Sequence, residues 1–250
     1  MIAPMSVLLL TYLFVLLPWG VYKSVRMEEA QRASRKAAQD AGRTTVIKPM
    51  TPARIYVNTL INVGLLLVLA YLAARQAGVD LWRVPRFGMR EWIACVVWFV
   101  ASVLVSLLGR AWRKDAELRE MPMVDLVPRS RNDWLAFIAV AIAAGICEEA
   151  AYRGMGFDAV RQWISLVPGA APLAVPVATV LLAAAFAFAH LVQGNKSAIL
   201  VFVMALLTQA LVLYTGTLIG AMVGHALLDI VTAYRSRQLV RRLEATAIEA

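Results

Sequence analysis

Runs of about twenty apolar residues constrain this chain more than any other feature. The first, "MIAPMSVLLLTYLFVLLPWGVY", carries no charged residue over residues 1–22. A hydrocarbon core of about 30 Å takes about twenty helical residues to cross. Inside it every backbone polar group must be satisfied within the segment, which leaves helices or closed barrels. No strand alternation appears, so the pattern predicts helices at about 2–22, 55–74, 92–109, 134–163, 172–194, 197–214 and 216–233. The fold class expected is all-α, a polytopic membrane helix bundle with about seven transmembrane helices. Composition agrees, with 61% hydrophobic residues and a mean hydropathy of +0.69 against roughly 45–50% apolar usage in an average soluble domain. The first run has no basic residue ahead of its apolar core and no small-residue cleavage site behind it, so it reads as a transmembrane helix rather than a signal peptide. Cys95 and Cys147 lie in apolar stretches without disulfide-type or metal-type spacing and read as small apolar side chains.

A net charge of +9 does not point to nucleic acid, because the basic residues are interleaved with the apolar runs and form no patch with aromatic platforms. Topology accounts for them instead. Eight Lys and Arg lie in the 23–54 loop and none before the first helix. Applied to alternating segments, the positive-inside rule puts the N-terminus outside and the C-terminus in the cytoplasm. The 23–54 loop is Ala-rich and charged, either a helix on the cytoplasmic leaflet or a solvated linker. Arg235, Arg237, Arg241 and Arg242 follow the last helix, where anionic headgroups attract them. The Pro/Gly stretch "SLVPGAAPLAVP" (165–176) ends one helix and begins the next. The chain divides into three N-terminal helices with basic loops (1–133), a core (134–233) and a basic tail (234–250).

Charged groups inside membrane helices cost about 2.5–3.5 kcal/mol each on insertion scales, so those retained usually have a task. Glu148, Glu149 and Arg153 lie near the middle of the fourth helix, His190 in the fifth, and His225 and Asp229 in the seventh. Glu149 and Arg153 are four apart with the carboxylate first, the order that favours an ion pair. Glu148 lies about 100° around the helix and is left as the available base. His225 and Asp229 also share a face, so that the carboxylate orients the imidazole or both converge on one bound species. Any one of these residues could simply hydrogen-bond a neighbouring helix. Together, buried carboxylates and imidazoles around a water form the usual apparatus of general-base hydrolysis.

"EEAAYR" (148–153), "FAFAH" (186–190) and "HALLD" (225–229) resemble, in order and spacing, the motifs EExxxR, FxxxH and HxxxN/D. These mark the CAAX prenyl protease and bacteriocin-processing (CPBP, or Abi) family of intramembrane proteases. The resemblance covers roughly 134–233. It implies an intramembrane endopeptidase acting on a peptide or protein substrate at the bilayer. In it Glu148 is the base that, with His190, activates water. Glu149 and Arg153 support it, and His225 and Asp229 stabilise the oxyanion or orient the groups that do. Phe186 lines the cavity or packs beneath it. No cofactor is expected, since there is no HExxH; zinc held by Glu148, His190, His225 and Asp229 is the alternative. Asp229 stands where well-studied relatives carry Asn, whose amide can donate to an oxyanion where an ionised carboxylate cannot. The Ala, Arg and Val bias resembles that of a GC-rich bacterium, which suggests the inner membrane and a leader peptide, bacteriocin or membrane-protein segment as substrate. A non-catalytic membrane scaffold or chaperone is the alternative function. A transporter would call for repeat symmetry or broken helices in corresponding halves, and the sequence has neither.

Overall fold

The computed structural model describes residues 3–41, 52–85, 87–113 and 127–248, and among them there are helices and no strands. The first helix starts on Pro4, whose missing N–H costs nothing in a first turn. It runs as α1 (Pro4–Thr11), a π-helical segment (Tyr12–Leu16) and α2 (Leu17–Asp40). The stretch from Lys23 to Asp40 is therefore helical, and it continues the first helix rather than forming a separate element. No Gly or Pro lies between Gly20 and Gly42, and the Ala, Arg, Lys, Gln and Glu that fill the interval are strong helix formers. The rest of the basic loop, residues 42–51, lies outside the described residues.

α3 (Pro52–Ala77) ends at Gly78, whose φ of 70° closes the turn, and α4 (Met89–Ala111) follows. The fourth long helix is α5 (Arg131–Glu148), a π-helical turn (Glu149–Gly156) and α6 (Phe157–Ser165). Ser130 and Asp133 start it with a capping box: the Asp133 N–H donates to Ser130 Oγ at 3.1 Å and the Ser130 N–H to Asp133 Oδ2 at 2.8 Å. α7 (Ala174–Ala189), α8 (Asn195–Thr215) and α9 (Ile219–Ile248) complete the bundle. Among the described residues, six helical spans are long and apolar enough to cross a membrane, and the protein is an integral membrane protein. α9, the seventh crossing expected, is a helix but is not among the six. Its apolar half carries His225 and Asp229, and its second half carries the arginines of the tail.

One expectation shifts. The fifth helix does not run through His190 to 194: α7 stops at Ala189, a 3-10 turn spans Leu191–Gln193, and Gly194 takes a φ of 94°. His190 itself causes part of the break, because its Nδ1–H donates to the Phe186 carbonyl at 2.8 Å and so satisfies a helix-end acceptor.

α5 with its π turn, α7, α8, α4 and α9 pack successively around a central space, while α1 and α3 pack outside α5 and α2 lies against α7. Small residues set the spacing, as expected where lipid offers no hydrophobic drive between helices. A Cβ on Gly145 of α5 would lie 2.7 Å from the Met222 carbonyl oxygen of α9, so the two backbones are in contact there. Gly220 meets Cys95 Sγ and Gly224 meets the Trp98 indole, which holds α9 against α4. The largest apolar cluster, including Leu9, Leu13, Leu66, Met155, Leu182 and Phe186, surrounds the π turn.

Candidate active site

The π turn at Glu149–Gly156 widens the fourth helix where its charged residues lie. Such turns are rare and recur at functional sites. Its outer side presses on the N-terminal helix: a Cβ on Gly156 would lie 2.5 Å from the Ala151 carbonyl and 3.1 Å from Leu13 Cδ1. The sequence pattern did not announce this turn. Its visible trace is the pair Gly154 and Gly156, where the backbone must approach Leu81, Leu218 and Leu13.

Within the turn, Arg153 Nη1 lies 3.3 Å from Glu149 Oε1, and the two side chains are 4% and 1% exposed. The contact is an ion pair rather than an aligned hydrogen bond. The guanidinium also stands 4.0 Å over the Phe186 ring, a cation–π arrangement. Phe186 is thus buried beneath the site. Its ring meets Tyr152 edge-on at 4.9 Å, His190 at 4.6 Å and His225 edge-on at 6.2 Å. It packs and lines at once, since it also borders the cavity described below.

His225 is held differently from the first of the two arrangements its spacing allows. The residue on its Nδ1 is Glu149, at 2.8 Å, not Asp229. A carboxylate paired with Arg153 can only accept, so the Nδ1–H donates and the Nε2 edge turns the other way. There it is flanked by Glu148 Oε2 at 3.9 Å and Asp229 Oδ2 at 3.8 Å, both beyond direct hydrogen-bond range. Asp229 does not orient the imidazole through Nδ1 because the close approach of α5 and α9 at Gly145 puts Glu149 there first. Glu148, His225 and Asp229 are 16%, 15% and 40% exposed, open where Glu149 and Arg153 are sealed. His190, with Nδ1 committed to Phe186, keeps Nε2 available.

All seven residues border one cavity of about 320 Å³. Glu148, Glu149 and Arg153 line it from the fourth helix, Phe186 and His190 from the fifth, and His225 and Asp229 from α9. The opposite wall comes from residues that the sequence pattern does not single out: Trp98 and Ser106 on α4, and Ser197, Met204 and Thr208 on α8. Arg113, just past α4, borders it too, with Nη2 donating to Ser197 Oγ at 2.8 Å and Nη1 to the Gly109 carbonyl at 2.8 Å. For Ser106 and Thr208 the one signal in sequence is polarity within an apolar run, which alone does not tell a cavity wall from a helix contact.

The zinc alternative can be set against this arrangement. Among the described residues no three His, Cys, Asp or Glu side chains gather as a metal-ligand set. Each imidazole has Nδ1 in a protein hydrogen bond and turns Nε2 into the cavity, with Glu148 Oε2 and Asp229 Oδ2 3.9 and 3.8 Å from Nε2 of His225.

Residues 130–231 match the model of the family described as type II CAAX prenyl endopeptidase Rce1-like. Neither the curated proteins nor the solved structures gave a match to the chain.

Proposed function

We propose that this protein is an intramembrane endopeptidase of the glutamate type, a reading supported by the match of residues 130–231 to the Rce1-like type II CAAX prenyl endopeptidase model. It acts on a peptide segment at the membrane without a metal or other cofactor. The observation that carries the reading is the contrast between two adjacent carboxylates. Glu149 is sealed against Arg153 and His225, while Glu148 is open to a cavity that His190, His225 and Asp229 also line.

In the proposed reaction a water in the cavity lies between Glu148 and His190 Nε2. Glu148 removes one of its protons as the oxygen bonds to the scissile carbonyl carbon. The carbonyl oxygen gains the negative charge, and the Nε2 edge of His225, when protonated, donates to it. Glu149 keeps that edge turned inward by accepting from Nδ1. Asp229 flanks the same edge and completes its orientation. As the C–N bond breaks, the proton held by Glu148 passes to the leaving nitrogen, leaving a carboxylic acid and an amine. The substrate classes proposed are leader peptides, bacteriocin precursors and membrane-protein segments, at the inner membrane of a bacterium.

The experiment is proteolysis in lipid nanodiscs by the wild-type protein and Glu148→Gln, with a membrane-protein fraction as substrate and cleavage products sequenced. We expect new termini with the wild type only, and uncut protein retained by Glu148→Gln. Equal product from both would remove Glu148 as the base. If neither cuts and both retain the same partners, the scaffold reading replaces the peptidase.

A further inference from the structure

Trp98 lies on α4, outside the 130–231 domain, yet it borders the cavity beside the helix that carries His225. Its indole is fixed from three sides. Gly224, the residue before His225, has no side chain, and a Cβ there would run into the six-membered ring of the indole. The indole N–H donates to Thr208 Oγ1 on α8 at 3.2 Å, a buried bond, and the Thr208 hydroxyl in turn donates to the Met204 carbonyl at 2.8 Å. Leu211 and Ala221 pack in the same cluster. An aromatic ring held by three helices cannot turn aside as a long side chain on a loop would, so this boundary of the cavity is rigid.

The lining includes the apolar side chains of Leu200, Met204, Ala205 and Leu228, together with the polar Ser106, Ser197, Thr208 and Arg113 and the carboxylates and imidazoles. A cavity of about 320 Å³ is at the small end of the roughly 300–1,000 Å³ of ligand sites. We infer that Trp98 is a specificity-determining residue: its fixed indole limits the length of the apolar group accepted beside the scissile bond. The inference rests on the peptidase reading for its scissile bond, but the size limit it sets can be measured without cleavage.

The probes are fluorescent peptides identical except at one position, whose straight-chain side chain is graded from propyl to dodecyl. Binding is measured by polarisation to Glu148→Gln in nanodiscs, with empty nanodiscs subtracted, and cleavage is measured with the wild-type protein. Affinity is expected to rise about fourfold per methylene while the chain is taken into the cavity, then to fall about tenfold once it meets the indole. Adding Trp98→Ala should move that break to longer chains. Adding Met204→Ala, which enlarges the cavity without touching the Gly224 contact, should move it in the same direction and serves if the Trp98 variant does not fold. A break at the same length in both variants overturns the inference, as does affinity that rises unbroken to dodecyl in the Trp98 protein, or no saturable binding by any peptide. A break that shifts as expected, with no peptide cut by the wild type, supports the size limit and counts against the peptidase reading alone.

Discussion

Glu148 and Glu149 are adjacent in sequence and differ in everything that decides chemistry. Both border the cavity, but Glu148 is 16% exposed there whereas Glu149 is 1% exposed and held between a guanidinium and an imidazole. Glu148→Gln keeps shape and removes the base, so the purified variant should keep the wild-type melting temperature and lose turnover. Glu149→Gln leaves Arg153 buried without its counter-charge, an expected loss of about 3–5 kcal/mol, seen as a lower melting temperature in the same detergent. A Glu149→Gln protein as stable as wild type but inactive would reverse the two roles. The spacing of Glu149 and Arg153 made their pairing legible, because four residues on a helix fix a neighbourhood. The hold of Glu149 on His225 was not legible. It joins residues 76 apart in the chain and depends on how α5 and α9 are set against each other, which no local pattern encodes.

At the level of elements, that setting rests on Gly145. With the Met222 carbonyl 2.7 Å from where a Cβ would be and the Ala226 nitrogen at 3.1 Å, any side chain there pushes α5 from α9. Overpacking of this kind typically costs about 1–3 kcal/mol. Gly145→Val should therefore melt earlier and, through the lengthened Glu149–His225 contact, lose more activity than its stability loss alone explains. Gly145→Ala should fall between it and the wild type. Full activity at the permissive temperature in Gly145→Val would mean that this approach does not position the histidine. The positions of the helices were legible from apolar length and the Pro/Gly breaks. The π turn and the early end of α7 were not, since an extra residue in a turn and a side chain capping its own helix leave the apolar pattern unchanged.

For the whole molecule, the helices that precede the matched domain are part of the cavity's architecture: α4 supplies a wall, and α1 and α3 pack against the helix that carries the carboxylates. The direction in which the bundle faces is a proposal from charge alone, with α2 carrying its basic residues into the cytoplasm. Ser34, exposed on α2, tests it as Ser34→Cys in a background with Cys95 and Cys147 replaced. In intact cells an impermeant maleimide should label it only after lysis. Labelling before lysis would invert the topology and, with it, the side from which substrate reaches the cavity.

Metal-free hydrolysis by Glu148 is tested by one set of peptide-cleavage rates. The proteins are the wild type, Glu148→Gln and Asp229→Asn, each assayed with and without chelator beside its bound-metal content. Metal-free chemistry predicts chelator-resistant turnover in the wild type without stoichiometric metal, none in Glu148→Gln, and much of the rate retained in Asp229→Asn, whose amide offers a donor near the oxyanion. Wild-type turnover that vanishes with chelator, returns with zinc and is lost in Asp229→Asn would contradict it.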